Sequence, residues 1–360
     1  MLFRSRREHT RLTVRLDRGP LDAVLAALAY LREYPYGCVE QTCSKLLPHL
    51  VWERVIEATK RGASQSAVPA NYRQPAGTEG SQALDAGLGR LASMQNGDGG
   101  YGWWPGGGSD VWMTAYVVFS FALAARPDTG VLRSARSFLA ARLLDAGGGD
   151  DDDAFAAFAL AWSGEPVEPR ACEVLLGRWS ALSLTERAKL CWVLDAAGHE
   201  EARDKNAQVL RALLPEAKRL VRRIEKREPG ALDWADPRTT EAAAFFVLAL
   251  LRRDDPPKSE LATLVSYLLL HRQGSRWDST RDTALAVFAL LEYEARFGDP
   301  GREAFARLEV NGSERARVEL GPAQNDEPQV LALRDADLRD GANELAFVTE
   351  GVRSESVLQR

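Results

Sequence analysis

Residues 109–121 read Ser109-Asp110-Val111-Trp112-Met113-Thr114-Ala115-Tyr116-Val117-Val118-Phe119-Ser120-Phe121. A loop rich in Gly and Trp ends here and a strongly apolar segment begins, with the polar Thr114 placed five positions before Phe119. The pattern returns as Asp153/Phe158, Thr240/Phe245 and Thr283/Phe288. The widest interval, between the second and third pairs, conceals one more divergent unit, of which Thr185–Leu194 is the remnant. A spacing of roughly forty residues corresponds to one helical hairpin per repeat. The helices that begin near Trp112, Ala154, Glu241 and Thr283 are apolar on most faces, and a helix hydrophobic all round has to be buried on all sides. Alternation of such helices with amphipathic ones predicts an inner ring inside an outer ring. The fold class is therefore mainly α, an α/α toroid, in preference to an open solenoid whose helices would each keep a wet face.

Outward from the repeats the period changes. Thr10–Asp17 alternates apolar and polar residues as a half-buried strand does. After Gly298-Asp299-Pro300-Gly301 the period of two returns. Leu308-Glu309-Val310 and Arg315–Leu320 flank Asn311-Gly312, a pair that favours a type I′ hairpin turn. Gln329–Leu333 and Glu344–Val348 add two more strands. These segments predict a toroid over residues 20–298 and a small partial β module made from residues 1–19 and 299–360.

Composition narrows the function. A chain of 360 residues with 45% hydrophobic content can bury a large core, and its formal charge of -5, with arginines scattered among acids, gives no footprint for nucleic acid. No run of eighteen apolar residues is present, so no membrane span is expected. The four cysteines, Cys38, Cys43, Cys172 and Cys191, form no CxxC pair, and with only 4 His no metal site is visible. Cys172 and Cys191 can pair across a helical hairpin or be two buried free thiols. The N-terminus has no apolar segment of signal-peptide length, and both ends read as though chain continued beyond them.

The segment that carries chemistry is Tyr34-Pro35-Tyr36-Gly37-Cys38-Val39-Glu40-Gln41-Thr42-Cys43-Ser44. A Cys-x-x-Gln spacing lets the Cys38 sulfur close onto the Gln41 side-chain carbonyl. Pro35 and Gly37, which restrict and then free φ, suit a tight turn at a helix start. A helix from about Val39 to Leu47 would aim its free amides at the site, lowering the thiol pKa and stabilising an oxyanion. Attack of the thiolate on the Gln41 amide would expel ammonia and leave a thioester, open to a later amine or hydroxyl. Water would destroy the bond, so shielding is needed. Tyr34, Tyr36, Tyr101, Trp103 and Trp104 are candidate shields, although core packing explains any one of them.

Pro35-Tyr36-Gly37-Cys38-Val39-Glu40-Gln41-Thr42, followed by Ser44 and Pro48, resembles the thioester motif of bacterial α2-macroglobulins, within the α2-macroglobulin/complement superfamily. Ser109–Tyr116 and Trp277-Asp278-Ser279-Thr280-Arg281-Asp282-Thr283 are similar to repeat loops of the same thioester domains. Leu338-x-x-Gly341-x-Asn343 resembles the β segment that follows. The resemblance implies an α/α toroid of the terpenoid cyclase-like kind inserted into a CUB-like β module, with Cys38 and Gln41 as the bond and Pro35, Tyr36, Gly37 and Glu40 as its supporting motif. It implies a stoichiometric covalent trap for proteases or other nucleophile-bearing targets, an endopeptidase inhibitor and not an enzyme. It also implies no cofactor beyond the intramolecular cross-link, further macroglobulin domains in a longer parent chain, and work outside the cytoplasm, commonly in the periplasm. The pattern departs at Cys43, where bacterial relatives commonly have Thr. Where some complement proteins carry a His that turns the bond toward hydroxyls, this chain reads Gly149-Asp150-Asp151-Asp152-Asp153, so direct reaction with amines is expected.

Two other readings remain open. Asp150–Asp153 satisfies the DxDD pattern of class II terpene cyclases, in which one Asp protonates an alkene. Against it, Ala154-Phe155 follows where cyclases usually have Thr-Ala, and four Asp after three Gly serve as a solvated loop capping the next helix. The second is a non-reactive toroid that binds proteins.

Overall fold

The computed structural model describes residues 2–5, 12–16, 20–33, 37–50, 78–122, 130–144, 152–225, 237–297, 305–319, 329–333 and 338–350. In chain order the first helices are α1 (Pro20–Arg32), α2 (Val39–Leu50), α3 (Thr78–Met94), α4 (Val111–Phe121), α5 (Gly130–Leu144) and α6 (Asp153–Trp162). They are followed by α7 (Pro169–Gly177), α8 (Leu184–Ala197), α9 (Ala202–Glu225), α10 (Pro237–Arg252), α11 (Lys258–His271) and α12 (Thr280–Phe297). Each of α2, α4, α6, α8, α10 and α12 packs against the next, and α12 packs against α2. That closes the inner ring. Helix α1 fills the outer groove between α12 and α2, α5 the groove between α4 and α6, and α7 the groove between α6 and α8, while α9 and α11 pair outside α8 and α10. The architecture is the α/α toroid that the alternation of apolar and amphipathic segments predicts.

The repeat has a physical meaning at both of its positions. Phe119, Phe158, Phe245 and Phe288 are all buried and meet along the ring axis. The ring of Phe119 lies 4.8 Å from Phe288, 5.5 Å from Phe158 and 6.2 Å from Phe245, mostly in the tilted and edge-on geometries that aromatic quadrupoles favour. Leu190 takes the aromatic place in the divergent unit, five residues after Thr185, and is likewise buried. The polar position ties each inner helix to the loop before it. Thr114 Oγ1 donates to the Asp110 carbonyl (2.7 Å) and accepts from the Tyr101 amide (2.9 Å). Thr283 Oγ1 donates to the Ser279 carbonyl (2.7 Å) and accepts from the Trp277 amide (3.0 Å). A small hydroxyl thus satisfies a buried amide that would otherwise have no partner.

All the inner helices start at one end of the ring, where a network of charges is buried. Lys189 Nζ pairs with Glu186 (2.7 Å) and Glu241 (3.4 Å), and Arg281 pairs with Glu241 (3.3 Å). The ammonium also lies over the rings of Phe155 and Phe245. Burial alone would lower the Lys189 pKa, but Glu186 and Glu241 overcome it and hold the pKa up. Asp153, in the first turn of α6, is buried and reaches Arg178 at 4.0 Å. The expected solvated cap is therefore corrected. Asp152 makes no side-chain cap hydrogen bond, because the first turn of an inner helix faces this buried end and not solvent. Asp150 and Asp151 lie outside the described residues.

The β segments comprise β1 (Leu2–Ser5), β2 (Leu12–Leu16), β3 (Phe305–Val310), β4 (Ser313–Glu319), β5 (Gln329–Leu333) and β6 (Gly341–Glu350). One sheet has the order β1-β6-β3-β4 and a second pairs β2 with β5, all antiparallel. Strands before the toroid therefore pair with strands after it, Leu2 opposite Glu344 and Leu12 opposite Leu333. The β3–β4 turn has positive φ at both Asn311 (52°) and Gly312 (77°), as a type I′ turn requires. Buried Asn343 explains the Leu338–Asn343 pattern. Its amide oxygen accepts from the Arg339 amide (2.7 Å) and Asn311 Nδ2 (3.0 Å), and its nitrogen donates to the Arg339 carbonyl (2.7 Å). Strand β1 was not foreseen from the sequence.

Candidate functional site

Helix α2 begins where the sequence expects it and runs one turn further, to Leu50. Its first turn sits at the buried polar end of the inner ring. Across that turn Cys38 and Gln41 make two reciprocal contacts: the Gln41 amide donates to Cys38 Sγ (3.5 Å), and the Cys38 amide donates to Gln41 Oε1 (3.3 Å). This is the geometry of a capping box, with Cys in the Ser/Thr place and Gln three residues on. Thr42 Oγ1 donates back to the Cys38 carbonyl (2.8 Å), as Thr114 and Thr283 do in their own units. Cys38 therefore occupies the cap position of a sixth repeat unit. The signal was in the sequence, since Cys-x-x-Gln has capping-box spacing and Leu47, five residues after Thr42, fills the buried aromatic place.

The expected depression of the Cys38 thiol pKa is overturned. Burial pushes the thiol up and the Glu40 charge adds to that, while backbone amides of Gln41, Glu40 and Cys38 offset only part. Cys38 is nearly out of solvent at 4% exposure, and desolvation of a thiolate outweighs three backbone donors. Cys43, buried on the next turn, is pushed well above the usual thiol range by burial and by its neighbours Glu40 and Cys38. Cys172 and Cys191 are buried free thiols as well.

Glu40 is also buried, unlike most helix-start glutamates. Its Oε1 accepts from Ser44 Oγ (2.7 Å), and both its oxygens accept from Thr280 Oγ1 (3.0 and 3.1 Å). Ser44 Oγ in turn lies 2.8 Å from the buried Tyr116 hydroxyl. With the serine proton committed to Glu40, the tyrosine is the donor. Burial pushes the Glu40 carboxyl up, and Ser44, Thr280 and the nearby Arg281 oppose the rise. Thr280, Arg281 and Tyr116 were not among the residues that the motif points to.

Gly37 is held by Arg90, whose Nη2 donates to its carbonyl (3.0 Å), and a Cβ there would meet Nη2 at 2.7 Å. The aromatic loop closes the other side. The Trp103 carbonyl accepts from the Val39 amide (3.1 Å), one of the free donors of the first turn. Trp103 stacks on Trp112 at 5.8 Å, Trp112 stacks on Tyr116 at 5.2 Å, and the Arg281 guanidinium lies 5.0 Å from the Trp112 ring centre. Trp103 and Trp104 remain 47% and 60% exposed, which puts them at the surface beside the turn. Tyr101 is wholly buried and packs in the core, with burial and Cys43 pushing its hydroxyl pKa up. Tyr34, Pro35 and Tyr36 lie outside the described residues. Among the described residues no group of three or more His, Cys, Asp or Glu could hold a metal ion, and no helix is long and apolar enough to cross a membrane.

Residues 20–148 match the family model of the A-macroglobulin TED domain. The α2-macroglobulin of Thermotoga maritima is 26% identical over 305 residues, 83% of this chain but 16% of that protein. The α2-macroglobulin of Xylella fastidiosa is 36% identical over 170 residues, 44% of this chain and 9% of that one. Among solved structures, the segment of native Escherichia coli α2-macroglobulin from domain MG7 to the C-terminus has a TM-score of 0.61 at 19% identity, covering 95% of this chain and 52% of that one. Salmonella α2-macroglobulin reacted with methylamine gives a TM-score of 0.61 at 19% identity, over 96% of this chain and 22% of that one. These structural likenesses show the fold. The chain spans less than a fifth of the curated relatives named here.

Proposed function

We propose that the chain is a thioester domain of the bacterial α2-macroglobulin family, which its family-model match and its relatives support, and that Cys38 and Gln41 form an internal thioester through which attacking proteases are trapped covalently. The observation that supports this reading best is the reciprocal contact across the first turn of α2, in which the Cys38 sulfur and the Gln41 side-chain oxygen are each held by the other residue's backbone amide. In the forming step the sulfur of Cys38 bonds to the Gln41 side-chain carbon, its C–N bond breaks, and the nitrogen leaves as ammonia with the thiol proton. The Cys38 amide, which donates to Gln41 Oε1, faces the oxygen on which negative charge develops. In the trapping step an amine of the target attacks the same carbon, the C–S bond breaks, and the proton lost by the amine is recovered by the Cys38 sulfur. The target ends as an amide on Gln41. Each chain reacts once.

Burial supports the reading from a second side. A high thiol pKa at Cys38 disfavours a free thiolate, so the released sulfur is a poor leaving group inside the fold and the bond resists casual cleavage. The exposed Trp103 and Trp104 would shield the bond from water. The Salmonella relative is described as reacted with methylamine, and E. coli α2-macroglobulin as activated by trypsin and by porcine elastase. Transferred to this chain, those descriptions make amines the attacking groups and proteases the targets. The domain would work outside the cytoplasm as part of a longer protein with further macroglobulin domains.

Intact mass tests the reading. The wild-type chain should weigh about 17 Da less than its sequence requires, and methylamine should add to it while one thiol appears. Cys38→Ser should show neither change. A wild-type mass with no deficit and no methylamine adduct would sink the thioester.

A further inference from the structure

Resting on the thioester reading above, we infer that Thr280, on the opposite helix of the ring closure, is a positioning residue for the bond: its hydroxyl fixes the Glu40 carboxylate and thereby the Cys38–Gln41 turn. Glu40 and Thr280 are 240 residues apart in sequence, yet the Thr280 hydroxyl lies within 3.1 Å of both carboxylate oxygens. Both residues are buried. This is the side-chain link that joins the first turn of α2 to the first turn of α12 among the hydrogen bonds of the described residues.

Thr280 is not occupied with its own helix. The cap of α12 is supplied by Ser279, whose Oγ accepts from the Asp282 amide (3.0 Å) and donates to the Asp282 carboxylate (2.7 Å). The Thr280 hydroxyl is thereby left to face α2. Successive residues of a helix turn by about 100°, so a pinned Glu40 sets the direction of its neighbour Gln41. With Glu40 drawn inward by Thr280 and Ser44, Gln41 is turned toward Cys38 at the half-exposed edge.

The same hydroxyl has an electrostatic consequence. The Glu40 charge is one of the groups that push the Cys38 thiol up. Hydrogen bonds from Thr280 and Ser44, with Arg281 beside them, hold that charge on the inner side of the turn. Loss of the Thr280 donor would free the carboxylate to swing toward the sulfur, opposing thiolate when the bond forms. Misplacement of reacting groups by about 1 Å can slow a reaction by about a hundredfold.

The experiment compares Thr280→Val, which keeps the shape and loses the donor, with Thr280→Ser, which keeps the donor. Each is read by intact mass for the fraction of closed thioester and by the rate of methylamine uptake across pH. The Val variant should close about tenfold fewer chains, and the Ser variant should recover most of the loss. Should the Val variant not fold, Thr280→Cys takes its place, since it keeps the space filled and replaces the hydroxyl by a weak donor. Equal closure and equal uptake rates in the variant without the hydroxyl and the wild type overturn the positioning role while the thioester stands. A wild-type chain with no mass deficit overturns both.

Discussion

At the start of α12, Ser279 and Asp282 hydrogen-bond across one turn and Thr283 donates back to the Ser279 carbonyl; at the start of α2 the same three places hold Cys38, Gln41 and Thr42. The backbone arrangement is shared, and two side chains separate a polar cap from the proposed thioester pair. A thiol is a weaker hydrogen-bond partner than a hydroxyl, and its contact with the Gln41 amide is correspondingly long at 3.5 Å, against 3.0 Å at Ser279. The α2 turn gives up cap strength and holds a thiol and a side-chain carboxamide across one turn. The comparison teaches that the repeat itself supplies the geometry of the candidate site, and that chemistry enters by substitution at a cap.

The strongest way to break the comparison is Gln41→Glu. It keeps the capping-box spacing and an oxygen for the Cys38 amide, but the ammonia leaving group is gone. Methylamine uptake should fall to background while the circular dichroism and melting behaviour stay close to wild type, as activity and thermal scans would show. Next in size is Thr283→Val, which leaves the buried Trp277 amide without its acceptor. An orphaned buried donor costs about 1–3 kcal/mol, measurable by urea unfolding. Smaller again is the effect of Ser279→Ala, which removes the α12 cap and should cost about 1 kcal/mol in the same assay. A Cys38→Ala change should cost less than that if the thiol is the weaker cap.

The toroid was legible because its cause is local and periodic. Phe119, Phe158, Phe245 and Phe288 stand at a fixed distance from a polar residue, and the structure brings the four rings together. The Asn311-Gly312 turn was legible for a similar reason, since few residue pairs accept positive φ at two successive positions. The site was legible only in part. Cys38 and Gln41 are three residues apart, so their meeting is a property of one helical turn. The meeting of Glu40 with Thr280 depends on ring closure, which no local pattern encodes. The thiol pKa was misjudged because helix-end amides can be read from sequence position, whereas burial of Cys38 follows from how the ring packs around it. Tyr101 and Trp104 show the same limit. They stand three residues apart in one aromatic loop, yet one is wholly buried and the other is among the most exposed large apolar residues.

The aromatic stack at the ring axis has a consequence for traffic. A circle of six helices encloses a lumen, and here the lumen is stoppered by Phe119, Phe158, Phe245 and Phe288, each at most 1% exposed. The two faces of the wheel do not communicate through its hub. Under the thioester reading, the exposed Trp103 and Trp104 stand at the rim beside the Cys38 turn, where the access of water to the bond would be tuned.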